Sequence, residues 1–459
     1  MEELEMLVEQ TTALLDDENR EQLKEFLDEL NISDVEALID ELPDYGPTFI
    51  ETLSVNRAVN VFRILDFPTQ ERILKKLSGN KISEIINNMP PDDRTAFFSE
   101  LKGEVVKQLI ILLSPADRKE ALALLGYPED SVGRLMTPDY ITVKQHWDMN
   151  RVLEHVRKYG KASETIDVLY VIDRNGELLD DIKIRDILLA SPDTKVKELI
   201  DNRLISLNAN DHQEDAINIF RMNNRVALPV VDEQGIMLGI VTVDDILWVA
   251  NEEYTEDMQR IGGTQALDEP YLDVSVIHLF KKRIGWLIVL FLGQLFTTAV
   301  MEHYESQLAS TVMLLVLVPL ILSSGGNSGS QASTLIIQAM ALGEVTLTDW
   351  WRVMKREILS GFLLGVVLGA LGFLRIYSWQ AFSDSYGEYW YLIGVVVSIS
   401  LVGVVLWGSL VGSMLPFILR RFGFDPATSS TPFVSTLVDV TGLIIYFTIA
   451  LIVLSGVLL

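Results

Sequence analysis

Asp439 is the only Asp, Glu, Lys, Arg or His in the last 34 residues of the chain. It lies within residues 433–459, an apolar segment long enough to cross the ~30 Å hydrocarbon core of a bilayer as a helix. A carboxylate at that depth costs about 3 kcal/mol on membrane-insertion scales and usually faces a cation, a water-filled path or a buried base. No Lys or Arg lies in the centre of any apolar segment to pair with it. We therefore predict that Asp439 binds a cation in a transmembrane path. A position near the helix start is the structural alternative.

A second polar patch interrupts the apolar residues 312–341 with the sequence SSGGNSGSQ. Backbone carbonyls and the Asn327 amide can face the water shell of an ion, and Asn327 and Gln331 share one helical face. The alternative is a packing seam, because small residues also let helices approach closely. The pattern favours a pore lining that includes Gly325, Gly326 and Asn327.

Five apolar segments predict a transmembrane domain of five helices, at about 284–303, 312–341, 359–378, 391–418 and 433–459. Basic residues collect on one side of these segments, at Lys281, Lys282, Arg283, Arg352, Lys355, Arg356, Arg420 and Arg421. On the other side, only Arg375 lies near the loops 304–311 and 379–390. This asymmetry predicts a multi-pass protein of the cell membrane with a cytosolic N terminus and an external C terminus. Residues 1–30 are acidic and amphipathic, so no signal peptide is expected there.

Composition excludes several functions. Residues 1–283 carry 31 Lys/Arg and 55 Asp/Glu, a charge that repels nucleic acid and attracts cations. The chain has no cysteine, which rules out thiolate zinc sites and thiol catalysis. Its five histidines form no metal-hydrolase pattern, and no nucleophile–base pattern is present. We therefore expect neither an enzyme nor a nucleic-acid partner.

Two repeats organise the cytosolic part. Pro-initiated segments with Arg72, Arg94 and Arg118 recur at spacings of 22 and 24 residues, which predicts stacked short helices over residues 1–130. Residues 169–188 and 228–247 match at 8 of 20 positions with an offset of 59. Each reads as strand, glycine turn, strand and helix, within residues 131–255.

The second repeat resembles a tandem CBS module, and GIVTVDD (239–245) is close to the CBS signature. The resemblance implies a nucleotide site, possible for ATP, at Thr242 and Asp245, with Arg185 and Asp186 at the related positions of the first half. Asp180 and Lys183 depart from the pattern, at positions where Gly and Ser or Thr are usual. An unliganded scaffold is therefore as compatible with the sequence as a nucleotide sensor.

Carboxylates crowd the second repeat and the segment that follows it. Two carboxylates ~5 Å apart repel by about 3 kcal/mol at an effective dielectric constant of ~20. A hard divalent ion removes this penalty, and Mg²⁺ suits sites with one or two carboxylates and retained water. We predict that a regulatory metal binds among Asp92, Asp93, Asp211, Glu214, Asp215, Asp244, Asp245, Glu252, Glu253, Glu256 and Asp257. A connecting helix at 256–283, broken at Gly262-Gly263, would transmit movement to the transmembrane domain at 284–459.

Taken together, the acidic helical domain, CBS pair, connecting helix and five spans resemble the MgtE family of magnesium channels over essentially the whole chain. The motifs LSSGGNSGSQASTLIIQA (322–339) and DPATSSTPFVSTLVDVTGLIIY (425–446) carry the resemblance within the membrane part. It implies a homodimer whose pore lies between two membrane domains, with Asp439 as the acidic pore residue. It also implies that Mg²⁺ is both substrate and regulator, closing the pore when it binds the cytosolic carboxylates.

Three other functions are weighed against a Mg²⁺ channel. A nucleotide-sensing receptor or scaffold would need neither the polar second span nor Asp439. A transporter of lower selectivity would also carry Mn²⁺ or Co²⁺. An anion transporter would need basic groups along its path, and no base lies in the middle of a span. A hard divalent cation is the best match.

Overall fold

The computed structural model describes residues 2–16, 19–267, 271–272, 274–308, 312–383 and 386–455. They form two compact units, Met1–Asn251 and Glu252–Leu459. The ends of two predicted segments, residues 309–311 of one loop and 456–459 of the last span, lie outside the described residues.

The first part of the cytosolic unit is all-helical, as the proline spacing predicts. Its helices are α1 Glu2–Asp16, α2 Arg20–Glu29, α3 Ile32–Glu41, α4 Gly46–Thr52, α5 Val55–Ile64, α6 Phe67–Leu74, α7 Gly79–Asn88, α8 Pro91–Glu100, α9 Gly103–Leu112, α10 Pro115–Leu124 and α11 Val132–Leu135. They enclose one apolar core that runs from Leu23 to Ala121.

The repeated arginines have a shared structural task. Arg94 donates to the Ile86 carbonyl at 3.3 Å, and Arg118 donates to the Ile110 carbonyl at 3.0 Å. Each therefore reaches back eight residues to the open end of the preceding helix, where carbonyls have no helical partner. In the first repeat Gln70 does the same for the Phe62 carbonyl at 2.8 Å.

The two CBS halves superpose in sequence as the offset of 59 predicts. The first contains β1 Thr142–Val143, α12 Met149–Tyr159, β2 Val168–Ile172, β3 Leu178–Lys183 and α13 Ile184–Leu189. The second contains β4 Leu207–Asn208, α14 Gln213–Asn223, β5 Ala227–Val231, β6 Met237–Thr242 and α15 Val243–Ile261. In each, a parallel strand and an antiparallel hairpin form a three-stranded sheet, in the order β1-β2-β3 and β4-β5-β6. Gly176 and Gly235 hold the hairpin turns at positive φ.

Asp180 has a structural reason to replace the usual glycine of the first half. Its carboxylate is buried and accepts the backbone N–H groups of Asp181, Asp201 and Asn202 at 2.9–3.1 Å. At the related position of the second half, a Cβ on Gly239 would lie 2.8 Å from the Thr137 carbonyl. One half therefore closes with a carboxylate and the other with direct backbone contact.

The second unit contains five long helices: α16 Val276–Leu308, α17 Val312–Ala341, α18 Trp350–Ser383, α19 Trp390–Arg421 and α20 Thr431–Leu454. Among the described residues, each is long and apolar enough to cross a membrane, in agreement with the five predicted spans. Glycines join α18 to α19, because a Cβ on Gly365 would lie 2.8 Å from Val402 Cα and one on Gly369 would lie 2.8 Å from the Ser398 carbonyl.

The segment predicted as one connecting helix, residues 256–283, is divided in the structure. Its first residues complete α15, which ends at Ile261, and α16 begins at Val276. Gly263 lies between them at φ 77°, a left-handed conformation that ends the helix. The break therefore falls at Gly262-Gly263, where the sequence places it.

Candidate cation path and regulatory site

The polar segment of α17 is part of one continuous helix, so its carbonyls are engaged in helical hydrogen bonding. Gly325 and Gly326 are buried: Gly325 lies against Val404 and Val438, and a Cβ on Gly326 would lie 3.1 Å from Ser435 Oγ. These glycines form the close contact that the packing-seam interpretation describes. Asn327 and Gln331 are exposed on another side of the helix. The polar segment therefore combines a seam with an open polar face.

Asp439 lies at the height of this polar segment. Ser435, one turn before it on α20, adjoins Gly326, and a Cβ on Gly442, just after it, would lie 3.6 Å from Leu322. Asp439 is half-buried, and no ion pair joins it to a base among the residues that the structure describes. An unneutralised carboxylate at this depth attracts a cation.

Hydroxyl groups continue this polar line towards the start of α20. The Ser330 and Ser435 hydroxyls are 3.2 Å apart, and Ser333 donates to the Ser429 carbonyl at 3.1 Å. The Ser328 and Ser409 hydroxyls are 2.7 Å apart on the side that faces α19. These hydrogen bonds fix α17 and α20 antiparallel to each other and so hold Asp439 at a set height.

Four of the predicted regulatory carboxylates meet in the cytosolic unit. Asp92 and Asp93 occupy the first turn of α8, and Asp244 and Asp245 occupy the first turn of α15. Arg63 joins the two turns, with its guanidinium 3.3 Å from the Asp93 carboxylate and 3.9 Å from that of Asp244. Glu164, from the loop after α12, completes what we call the acidic cluster, Asp92, Asp93, Glu164, Asp244 and Asp245.

Burial and mutual repulsion raise the pKa values in the acidic cluster. Burial, with repulsion from Asp245, Asp93 and Glu164, raises the pKa of Asp92 well above its usual value. Burial raises the pKa of Asp93 to about 6 although Arg63 opposes the change. Burial likewise raises the pKa of Asp245 to about 7, against a 2.8 Å hydrogen bond from Thr242 and with added repulsion from Asp244. The cluster therefore holds more negative charge than one guanidinium neutralises.

The donor set fits a hydrated Mg²⁺ ion. The buried Oδ1 atom of Asp92 has no hydrogen-bond partner, which is costly for a carboxylate oxygen. Among the described residues, no three Asp, Glu or His side chains converge closely enough to ligate one ion directly. Mg²⁺ keeps several of its waters and needs only one or two carboxylates, so this arrangement suits an ion bound largely through its water shell.

The remaining predicted regulatory residues lie elsewhere. Asp211, Glu214 and Asp215 surround the start of α14, where Asp211 accepts the Asn208 N–H at 3.1 Å. They do not perturb the pKa values of the acidic cluster. Glu252, Glu253, Glu256 and Asp257 lie on the later turns of α15, within the second unit.

The end of α15 is tied to the start of α20. The Arg260 guanidinium pairs with Glu256 on one side and with Asp425 on the other. Asp425 precedes α20 by six residues and caps the short turn at Pro426–Thr428. Nearby, the Trp286 indole donates to Ser430 at 2.9 Å, and a Cβ on Gly263 would lie 2.9 Å from Trp286. A candidate metal ligand, Glu256, thus shares Arg260 with the segment that leads to Asp439.

The predicted nucleotide residues lie in two settings. Thr242 is buried, and its hydroxyl is bound by Asp244 and Asp245 within the acidic cluster. Arg185 and Asp186 are exposed and pair with each other at 3.4 Å. A nucleotide phosphate at Thr242 would meet several carboxylates, which disfavours it unless a cation is bound as well.

Sequence reasoning missed Glu164, Arg63 and the Arg260–Asp425 pair. Each acts through contacts between residues at least 30 positions apart, and none belongs to a repeat or motif. The charge of the surrounding carboxylates is the signal that a compensating arginine is needed, but it does not identify which arginine.

Comparisons with known proteins extend this geometry. Residues 318–449 match the MgtE family of divalent cation transporters, residues 46–130 match the MgtE intracellular N domain, and residues 132–193 and 196–252 match CBS domains. The chain is 36% identical over 439 residues to the magnesium transporter MgtE of Thermus thermophilus, covering 95% of this chain and 96% of that protein. It is 28% identical to the MgtE of Bacillus subtilis, covering 97% and 96%.

Solved structures match the cytosolic part. A crystal structure of the cytosolic domain of the Mg²⁺ channel MgtE in complex with ATP is 31% identical, with a TM-score of 0.51, and covers 53% of this chain and 99% of its own. The soluble part of a magnesium transporter, 23% identical with a TM-score of 0.51, shares the fold. The predicted family and fold class are thereby confirmed: this chain is a multi-pass membrane protein that belongs to the MgtE family of divalent cation transporters.

Proposed function

We propose that this protein moves Mg²⁺ across the cell membrane through a path that contains Asp439. The observation that carries the proposal is an unneutralised carboxylate, half-buried in α20 beside the polar segment of α17. Magnesium transport by relatives that align over nearly the whole chain supports Mg²⁺ as the substrate.

The path lies between two copies of the chain in this proposal. Asn327 and Gln331 are exposed on α17 in a single protomer, although polar side chains at membrane depth are costly against lipid. A second copy that faces them would form a polar passage lined twice by Asn327 and Asp439. Gly325 and Gly326 then act as spacers that let α20 approach α17, and they contribute no ligand of their own.

Cytosolic Mg²⁺ closes the path by binding the acidic cluster and the carboxylates of α15. A cation between α8 and α15 would relieve the repulsion among Asp92, Asp93, Asp244 and Asp245, and so favours the arrangement that holds them together. Arg260 carries the change onward, since it joins Glu256 to Asp425 at the approach to α20. The basic loops lie in the cytosol, which puts the acidic half where it senses internal Mg²⁺.

The test is uptake by purified protein in liposomes. We expect Mg²⁺ influx that falls when Mg²⁺ is also raised on the side of the cytosolic half, and a slower influx of Ca²⁺. Uptake of Mn²⁺ or Co²⁺ at equal rates would replace selective transport with general divalent transport. No flux of any divalent cation would leave the nucleotide-sensing scaffold as the better proposal.

ATP is a second candidate ligand, because the relative with 31% identity has been crystallised with it. Thr242 and Asp245 are the residues of this chain that would hold it, with Arg185 and Asp186 in the first half. The carboxylates around Thr242 predict that ATP binds as its Mg²⁺ complex and only weakly without the metal. Calorimetric titration of the full-length protein with ATP, with and without Mg²⁺, tests this.

A further inference from the structure

A cavity of about 780 Å³ opens between the first turns of α18 and the last turns of α19. Trp350 and Met354 of α18 form one wall, and Met414, Phe417 and Ile418 of α19 form the other. The volume lies within the roughly 300–1,000 Å³ range of small-molecule sites. None of these residues belongs to the cation path, the acidic cluster or the contact between Arg260 and Asp425.

The cavity lies at a boundary between bilayer and water. The two spans that form it run over Leu347–Ser383 and Trp390–Arg421, and the cavity takes the beginning of one and the end of the other. Trp350 and Trp351 are both 49% exposed there, as is common for tryptophans at the headgroup level. Its interior is therefore at the depth of acyl chains and its mouth at the depth of phosphates.

The mouth of the cavity favours an anion. Arg421 lines it, and no ion pair joins Arg421 to an acid within the described ranges of the chain. The nearest acid in sequence on α18, Asp349, accepts the Thr346 N–H at 3.0 Å and the Thr346 hydroxyl at 2.7 Å, so its charge is engaged by a helix cap. A guanidinium binds phosphate oxygens in a bidentate manner.

We propose that this cavity binds an anionic phospholipid, with an acyl chain between Met414 and Trp350 and the phosphate on Arg421. The apolar walls explain why a lipid tail enters, and Arg421 explains why the headgroup carries net negative charge. A zwitterionic lipid would fill the same walls but would bring its own cation close to Arg421, so it binds more weakly.

Native mass spectrometry of the full-length protein tests the proposal with phosphatidylglycerol and phosphatidylcholine of identical acyl chains. We expect the wild type to retain phosphatidylglycerol preferentially. Arg421→Ala should lower that preference roughly fivefold, the effect of one basic residue at an anionic surface. Met414→Trp, which fills the cavity, should lower retention of both lipids. Arg375→Ala is the matched control, since Arg375 lies over Trp379 towards the other end of α18, and should change neither.

Equal retention of phosphatidylglycerol by the wild type and Arg421→Ala would overturn the headgroup assignment. Displacement of the lipid by inorganic phosphate alone would overturn the acyl-chain part of the proposal. A cavity closed by a second copy would also overturn it, and would appear as loss of dimer in Met414→Trp without any change in lipid retention. None of these measurements needs Mg²⁺ flux, so their outcome is independent of the transport proposal.

Discussion

The two halves of this protein use carboxylates in opposite ways. In the membrane half, Asp439 is a single half-buried acid with no base beside it among the described residues. In the cytosolic half, five carboxylates share one guanidinium, that of Arg63. A single acid in apolar surroundings holds a cation wherever one is available. A crowded cluster instead changes its own free energy when a cation arrives, because repulsion between its members is relieved. The first arrangement suits transport and the second suits sensing.

The largest expected effect is at the isolated acid. Asp439→Ala should abolish Mg²⁺ flux in liposomes while dimer formation stays near normal, because the one charge that holds a cation at that depth is removed. Asp439→Asn keeps the shape and should fail as well. Asn327→Ala should be milder, since a neutral dipole attracts a divalent ion less strongly. Normal flux in both Asp439 variants would remove Asp439 from the path.

The second prediction concerns the acidic cluster. Asp92→Asn combined with Asp245→Asn should leave the path conducting but raise the Mg²⁺ needed for closure about tenfold, or ~1.4 kcal/mol. The measurement is flux, with proteolysis near Gly262-Gly263 as a second readout. Asp211→Asn combined with Asp215→Asn makes the same change in net charge outside the cluster. If this control shifts closure equally, general charge and not a local site is responsible.

A smaller effect is expected where the two functions are joined. Arg260→Gln should raise the Mg²⁺ concentration for half-closure about threefold, on the order of 1 kcal/mol, because an ion pair that links α15 to the start of α20 is lost. Lys75→Gln is the control, since Lys75 forms an exposed i,i+4 pair with Glu71 at 2.8 Å. Unaltered closure in Arg260→Gln would show that the signal travels by another route.

The smallest effect is on stability against pH. The folded pKa values of Asp93 and Asp245, about 6 and 7, exceed those of an unfolded chain, so the folded protein binds protons more tightly. Without Mg²⁺, stability should therefore fall as pH rises from about 5 to 8, with a decrease in the midpoint of thermal unfolding on the order of 5 °C. Saturating Mg²⁺ should shrink this decrease. A midpoint that rises over the same interval would contradict the sign.

Much of the fold followed from local patterns. An offset of 59 residues predicted both hairpins, and Val168–Ile172 and Ala227–Val231 obey it residue for residue. Five apolar segments predicted the five spans, although the helices extend beyond them, as α18 does from Trp350 to Ser383. Both signals are periodic or compositional, so each is complete within one stretch of sequence.

The site was less accessible to the same reasoning. Small residues at 325–329 serve a packing seam and a polar path equally well in sequence, and only the position of Val404 and Ser435 shows that the glycines are buried. Glu164 joins the acidic cluster because a loop meets the starts of two distant helices, and no local pattern records that meeting. The assignments of Asn327, Asp439 and the regulatory carboxylates as metal-binding residues stay predictions.

The eight-residue reach of Arg94, Arg118 and Gln70 has a consequence for biosynthesis. Each helix end is closed by a residue made only moments later, so these contacts are local in sequence and the helical domain has little loop closure to await. Its core is complete once Ala121 has been added, well before Val276 begins the first membrane helix. Because domains fold in order during synthesis, we expect the ribosome to deliver the spans to the membrane with a folded helical domain already attached.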